Sequence, residues 1–94
     1  MRFEWDDKKS ASNLRKHGIG FDTAELVFDD PWQVPILDHD VDGEERWQTI
    51  GRAEDVLLLL VVHTVEDDED EVIRIISPRR ATPHERRIYE SGFY

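Results

Sequence analysis

The spacing of hydrophobic residues changes near residue 32, from a mainly helical pattern to a pattern of strands. Phe3 and Trp5 alternate with charged neighbours, as in a short edge strand. The next residues carry a weak apolar stripe and predict a helix that opens at Asp6 or Asp7 and ends at His17. A glycine follows, and glycine readily adopts the left-handed conformation of a helix C-cap. The chain therefore begins with a predicted strand and helix.

A second helix is marked at both of its ends. Asp22 is the predicted N-cap, and Glu25 stands three residues later, where it completes a capping box. Phe21 and Leu26 occupy the positions of a hydrophobic staple. The helix is expected to end at Asp29–Pro31, because the residue before a proline is pushed out of helical geometry.

From residue 32 onward the apolar spacing becomes that of strands. Four strands are predicted, at Gln33–Leu37, Arg46–Arg52, Val56–Val65 and Val72–Ser77. The connections between them, which include the acidic segments Asp38–Gly43 and Glu66–Glu71, are short and favour an antiparallel meander. Val56–Val62 is apolar throughout, which predicts a central strand with helices on one face and further packing or a partner on the other.

The last predicted strand leads through Arg79 and Arg80 into a third helix. Thr82 is the expected N-cap, Pro83 suits the first helical position, and Glu85 completes a capping box. The order of elements indicates an α+β fold. We expect a twisted, mostly antiparallel sheet of four to five strands, with two N-terminal helices and one C-terminal helix.

Composition narrows the class of protein. Ninety-four residues support one hydrophobic core, so residues 1–94 are expected to form a single domain. The chain has no cysteine, which excludes disulfides and cysteine catalysis and fits the reducing cytoplasm. The N-terminus lacks a signal-peptide core, and no apolar run is long enough to cross a bilayer. A cytoplasmic protein is expected.

The net charge of −10 by itself argues against a nucleic-acid partner. Its distribution changes this interpretation. Of the 22 acidic residues, five lie within Asp38–Glu45 and six within Glu66–Glu71. The rest of the chain therefore carries 11 acidic residues and 12 Lys and Arg. A local basic face is therefore compatible with the sequence. The acidic segments are expected to solubilise two loops or to meet a basic partner.

Arg79 and Arg80 are the leading candidates for a phosphate site. They precede a helix N-terminus, where unpaired backbone N–H groups and the helix dipole favour an anion. Guanidinium groups bind phosphate in a bidentate manner and keep their charge. The alternative is that the two arginines only neutralise acidic neighbours on the surface.

Segments spread over nearly the whole chain carry a family resemblance. They are, in order, Phe3–Asp6, Asn13–Phe21, Val27–Pro31, Glu45–Arg52, Val62–Thr64 and Arg74–Thr82. On these segments the chain resembles BrnT-type toxins. The resemblance implies a RelE-like fold and a metal-independent endoribonuclease that cleaves RNA, inhibits translation and needs no cofactor. It also implies a BrnA-like antitoxin as partner, through which promoter DNA would be contacted only indirectly.

The strong acidity keeps a second function open. In this interpretation the chain is a catalytically weak or inactive module that pairs with an antitoxin and modulates the binding of that antitoxin to promoter DNA.

RNA cleavage without a metal needs a base, an acid and cations that stabilise the charge developing on phosphorus. Arg79 and Arg80 are the predicted cations. His63 is the leading candidate for proton transfer, because histidine titrates near neutral pH and His63 ends the apolar strand.

The role of Arg74 depends on hairpin register. With a four-residue turn, Glu66 pairs with Glu71 and His63 lies opposite Arg74, which would place both side chains in the catalytic site. In the alternative interpretation His63 hydrogen-bonds a backbone carbonyl, and Arg74 pairs with Glu85.

Lys16, His17 and Arg52 are candidates for binding the substrate RNA. The first two are also explained by the helix dipole, which favours cations in the last turn of a helix. Arg52 is equally consistent with a salt bridge to Glu54 or Asp55 in the following turn.

The aromatic residues and one cluster of acids are expected to be structural. Tyr89 is predicted to pack in the core rather than to stack on a base, and so are Trp5, Trp32 and Trp47. One segment superficially resembles a metal-ligand cluster through Asp38, His39, Asp40 and Asp42. Its spacing matches no calcium loop, so no metal is predicted.

Overall fold

Five strands and three α-helices make up the part of the chain that the structure describes. In this computed structural model that part is residues 1–41, 43–67 and 69–92, without the side chains of residues 39–41 and 67. The elements are β1 (Arg2–Glu4), α1 (Asp7–His17), α2 (Phe21–Glu25), β2 (Val34–Val41), β3 (Glu44–Glu54), β4 (Leu57–Asp67), β5 (Glu71–Arg80) and α3 (Pro83–Ser91). A 3₁₀ turn at Leu26–Asp29 continues α2.

The strands form one sheet in the order β1-β5-β4-β3-β2. Strands β2 to β5 are antiparallel neighbours, whereas the three-residue β1 lies parallel to β5 at one edge. The α+β fold with a mostly antiparallel meander is therefore confirmed.

The apolar run of β4 is buried on both sides, as predicted for a central strand. Leu59 packs with Phe21 on one face of the sheet, which we call the α2 face. Leu60 packs with Tyr89 on the other face, which we call the α3 face. The covering on the second face is thus supplied by the C-terminal helix of the same chain.

The strands extend farther than the sequence predicts. β2 continues to Val41 and β4 to Asp67, because strand pairing satisfies the backbone groups of acidic residues as well as those of apolar ones. Arg46, Thr64 and Arg74 lie in one row across β3, β4 and β5. The β2–β3 and β4–β5 connections therefore lie together at what we call the acidic end of the sheet.

The opposite end of the sheet is the basic end. There β3 turns into β4, and β5 leads into α3. Arg52 pairs with Leu58, and the last two residues of β5, Arg79 and Arg80, also pair with β4 at this end. The two acidic segments and the candidate phosphate ligands are consequently separated by the length of the sheet.

The last hairpin does not have the four-residue turn on which the pairing of His63 with Arg74 depended. Asp67, not Glu66, pairs with Glu71, because the connection spans three residues rather than four. His63 consequently lies opposite Ile75 rather than opposite Arg74. A shift of one residue moves a side chain to the other face of the sheet. His63 and Arg74 therefore point to opposite faces.

The first helix matches its prediction, but the second begins differently. Asp6 caps α1 by accepting from two backbone N–H groups, and Gly18 has φ 73°. The N-cap of α2 is Gly20 rather than Asp22. Phe21 is buried and donates its N–H to Ser10 Oγ at 2.9 Å, so contact with α1 fixes the start of α2. The predicted staple is wrong, since Leu26 is exposed.

Candidate active site at the basic end

Arg79 and Arg80 lie on opposite faces of β5. Arg79 pairs with Leu60 of the α3 face, and Arg80 pairs with Leu59 of the α2 face. Directly paired residues share a face, and successive residues of a strand point to opposite faces. The two guanidinium groups therefore do not converge on one phosphate, contrary to the expectation from sequence.

Arg79 forms a two-point ion pair with α3. Its Nη1 and Nη2 donate to Oε1 and Oε2 of Glu85 at 2.7 and 2.8 Å. Glu85 also accepts from the Thr82 N–H at 2.9 Å and donates its own N–H to Thr82 Oγ1 at 3.2 Å, which confirms the capping box. The hydrogen bond between the side chains raises the pKa of Arg79 and lowers the pKa of Glu85. The ion pair of Arg79 with Glu85 thus connects the end of β5 to the start of α3.

Arg80 is exposed on the α2 face, and its side chain has no partner among the described residues. The residue two positions earlier, Pro78, is buried, and its carbonyl accepts from Asn13 Nδ2 of α1 at 3.3 Å. Proline is tolerated here because β1 pairs only as far as Arg74, so this part of β5 is an edge. The strand therefore continues straight through Pro78 to Arg80.

Two predicted substrate-binding residues come level with Arg80. α1 runs along β5 in the same direction, since its first turn lies beside Ile76 and Asn13 contacts the strand two residues farther on. A helix advances about 1.5 Å per residue and a strand about 3.3 Å. Lys16 and His17, one turn after Asn13, are therefore expected at about the level of Arg80 along the strand. We call Lys16, His17 and Arg80 the Arg80 cluster.

His63 is buried within the α2 face and is only 3% exposed. Its Nε2 lies 2.7 Å from Thr49 Oγ1, and its Nδ1 lies 3.3 Å from the Thr64 carbonyl. These contacts fit a ring whose Nδ1–H donates and whose Nε2 accepts. The ring also meets the Phe28 ring edge-on, with 4.8 Å between centroids. Burial lowers the pKa of His63 to about 4, so the ring is neutral at pH 7.

Arg74 lies on the α3 face near the acidic end, away from the Arg80 cluster. Its side chain is half exposed and lies 3.9 Å from Glu4 of β1 rather than pairing with Glu85. It lines a cavity of about 210 Å³ together with Arg46, whose buried Nε has no hydrogen-bond partner among the described residues. The structure therefore groups Arg74 with Arg46, a residue that the sequence analysis did not single out.

Asp30 holds three elements together at the basic end. The carboxylate is buried and accepts from the Trp32 N–H at 2.9 Å, the Arg52 N–H at 2.8 Å and the Tyr89 hydroxyl at 2.7 Å. Burial alone would raise the pKa of Asp30, but these hydrogen bonds outweigh it, so its pKa lies below the ordinary value. The sequence marks Asp30 only as part of a helix end, since its partners lie up to 59 residues away.

Arg52 is held by the turn and by α3. Its Nη1 donates to the Asp55 carbonyl at 2.7 Å, so the contact is to the backbone rather than a salt bridge to a carboxylate. The guanidinium carbon lies 5.5 Å from the centre of the Tyr89 ring. Tyr89 is buried, as predicted, and burial together with its bond to Asp30 raises its pKa.

The three tryptophans differ in their surroundings. Trp5 packs against the core of the α2 face, and Trp47 is partly buried. Trp32 is 74% exposed, so the prediction that it packs in the core is wrong.

No metal-ligand group of three or more His, Cys, Asp or Glu side chains occurs among the described residues. Of the acidic cluster considered from sequence, Asp42 and the side chains of His39 and Asp40 lie outside them. Within residues 1–41, 43–67 and 69–92, no helix has the length and apolar character needed to cross a membrane.

Comparisons with known proteins agree with this fold. Residues 5–85 match the family described as the ribonuclease toxin, BrnT, of type II toxin-antitoxin systems. The crystal structure of the Brucella abortus ribonuclease toxin BrnT superimposes with a TM-score of 0.60 and 21% identity, over 87% of this chain and 97% of that chain. At this identity the likeness shows a shared fold. No curated protein matches the sequence.

Proposed function

Because this chain belongs to the BrnT family of ribonuclease toxins, part of type II toxin–antitoxin systems, we propose that it cleaves RNA with the Arg80 cluster. In this proposal Arg80 binds the phosphate at the cleaved bond. The observation that carries the assignment is an exposed guanidinium with no partner among the described side chains. Two further basic residues, Lys16 and His17, are expected at about the same level along β5.

The chemistry needs no metal in this proposal. A base takes the proton from the 2′-hydroxyl, the 2′-oxygen attacks the adjacent phosphorus, and the bond to the 5′-oxygen breaks as that oxygen is protonated. Negative charge collects on the phosphoryl oxygens, where a fixed guanidinium stabilises it. Arg80 fits this role because its guanidinium forms no ion pair with a carboxylate of the described residues.

His17 and Lys16 are the candidates for proton transfer and phosphate binding beside Arg80. Histidine is the side chain that most often transfers protons in enzymes. His63 is proposed as a structural residue, since a neutral ring at 3% exposure cannot meet the substrate. Arg79 is proposed to position β5 relative to α3 through Glu85, and so to act on the site indirectly.

An antitoxin partner follows from membership of a type II system. We propose that this partner is BrnA-like, that it covers the Arg80 cluster in the inactive complex, and that the toxin meets promoter DNA only through it. A cytoplasmic location is proposed as well, because the RNA substrate and the translation machinery are there.

The direct test is cleavage of single-stranded RNA in EDTA. Wild-type protein freed of its partner is expected to cleave, and Arg80→Ala is expected to lower kcat by about 100-fold or more. Arg87→Ala is the matched control, because Arg87 is also exposed and has no partner among the described residues. Equal cleavage by Arg80→Ala and wild type would refute the assignment of Arg80.

The acidic end favours a second function, a weakly active module that modulates the DNA binding of its antitoxin. Eleven acids near two neighbouring hairpins repel RNA and attract a basic partner. Expression in a bacterial host without any antitoxin separates the two functions. Growth arrest supports the ribonuclease, whereas unhindered growth with folded protein supports the module.

A further inference from the structure

Trp32 is a large aromatic residue presented to solvent on a rigid support. Its side chain is 74% exposed, although burying an indole is one of the larger gains available to a small core. Its backbone is nevertheless fixed, because its N–H donates to Asp30 Oδ1 at 2.9 Å and Pro31 precedes it. An exposed indole on a fixed backbone is suited to contact a ligand.

The same carboxylate positions the neighbours of Trp32. Asp30 Oδ2 accepts from the Arg52 N–H at 2.8 Å and from the Tyr89 hydroxyl at 2.7 Å. Tyr89 in turn supports the Arg52 guanidinium, whose carbon lies 5.5 Å from the ring centre. One buried carboxylate therefore holds the backbone of Trp32, the backbone of Arg52 and the hydroxyl of Tyr89.

These side chains line a cavity of about 510 Å³. Its walls include Trp32, Gln33, Arg52, Tyr89 and Glu90. Small-molecule sites commonly measure about 300–1,000 Å³, so this cavity is of a size to accept a nucleobase. Arg52 pairs with Leu58, and Arg80 pairs with the adjacent Leu59, so the cavity lies at the same end of the sheet as Arg80 but on the α3 face.

We propose that this cavity is a base-stacking subsite, in which an unpaired RNA base contacts the Trp32 indole and the Arg52 guanidinium. The inference rests on the proposed function, and it assigns a substrate-binding role to Trp32. Unstacked bases of single-stranded RNA are bound on aromatic rings and on guanidinium planes, and the stacking tolerates any base. The cavity offers one group of each kind, from two residues whose backbone N–H groups donate to Asp30.

The test compares RNA with and without bases. The probes are a 2′-O-methyl oligocytidine hexamer, which has no free 2′-hydroxyl and cannot be cleaved, and an abasic hexamer with the same sugar–phosphate backbone. Trp32→Ala is expected to weaken binding of the oligocytidine about tenfold and to leave binding of the abasic hexamer unchanged. Trp32→Phe is expected to keep most of the affinity, since a phenyl ring also stacks.

Leu37→Ala is the matched control. Leu37 is an exposed apolar residue, 52% exposed, outside the residues that line the cavity. It is expected to bind both hexamers as wild type does. Thermal unfolding of every variant checks that the fold is retained, and this is expected for Trp32→Ala because the bond to Asp30 is made by the backbone.

The outcomes separate this inference from the proposed function. Equal loss of oligocytidine and abasic binding in Trp32→Ala would overturn the stacking subsite, and so would unchanged affinity for oligocytidine. Loss of antitoxin binding with unchanged RNA binding would assign Trp32 to the protein interface and would equally overturn it. Cleavage of natural RNA by wild type, measured separately, decides the proposed function whichever way the binding falls.

Discussion

At the scale of single residues, His63 illustrates how burial decides the role of a titratable group. The ring lies at the end of an apolar strand, and the sequence made it a candidate for proton transfer. In the fold it is 3% exposed, bonds Thr49 and contacts Phe28. Desolvation disfavours its charged form and lowers the pKa to about 4. A candidate proton carrier thus becomes a polar part of the core.

This lowered pKa predicts a loss of stability in mild acid. In the unfolded chain His63 is protonated below about pH 6.5, whereas in the folded chain it is protonated only below about pH 4. The free energy of unfolding is therefore unaffected by His63 protonation above pH 6.5, and it falls as the pH is lowered from 6.5 towards 4. From pH 7.5 to pH 5, His63 is expected to remove about 2 kcal/mol from the free energy of unfolding, measured with urea.

His63→Gln is the control for that measurement. Glutamine does not titrate, so the variant is expected to lose about 2 kcal/mol less than wild type between the same two pH values. Parallel pH profiles for the two proteins would contradict the buried, neutral state of His63.

At the scale of elements, the contact between β3 and the 3₁₀ turn after α2 explains a glycine. A Cβ added at Gly51 would lie 2.7 Å from Val27 Cγ1 and 3.2 Å from the Val27 carbonyl oxygen. Val27 is fully buried and β-branched, so it has little freedom to move. The strand approaches the turn this closely because the next residue, Arg52, donates its N–H to Asp30.

Gly51→Ala is therefore expected to destabilise the fold by about 2 kcal/mol, the usual cost of overpacking a core. Urea unfolding measures the effect. In the Val27→Ala background the clashing Cγ1 is absent, so the added cost of Gly51→Ala is expected to be smaller. Strictly additive effects of the two substitutions would refute the steric explanation.

At the scale of the whole molecule, charge is divided between the two ends of the sheet. The two acidic segments lie beside the β2–β3 and β4–β5 connections, and Arg52, Arg79 and Arg80 lie at the other end. The described chain measures 32 × 30 × 22 Å. At 0.01 M salt the Debye length is about 30 Å, so the acidic end influences a charged ligand anywhere on the surface.

Neutralising part of the acidic end is expected to speed RNA association. A variant with Glu69→Gln, Asp70→Asn and Glu71→Gln should bind a 2′-O-methyl RNA hexamer about threefold faster than wild type at 0.01 M salt. At 1 M salt, where the Debye length is about 3 Å, the rates should be equal. Stopped-flow fluorescence measures both. A difference that persists at 1 M salt would show that these residues act by contact rather than through the field.

Local chemistry in the sequence determined much of this protein. Capping residues fixed the start of α1 and α3, the apolar run placed β4 at the centre, and short polar connections produced the meander. Each signal acts within a few residues, so it can be interpreted without the fold. The extent of the strands was underestimated, because pairing continued into acidic residues.

Only the tertiary structure decided the geometry of the candidate site. One residue of hairpin register separated His63 from Arg74, and strand alternation placed Arg79 and Arg80 on opposite faces. The partners of Asp30, and the exposure of Trp32 beside them, depend on contacts between distant parts of the chain. Residue types and spacing therefore indicated the chemistry. Which groups face a substrate is set by long-range pairing and burial, which local sequence does not encode.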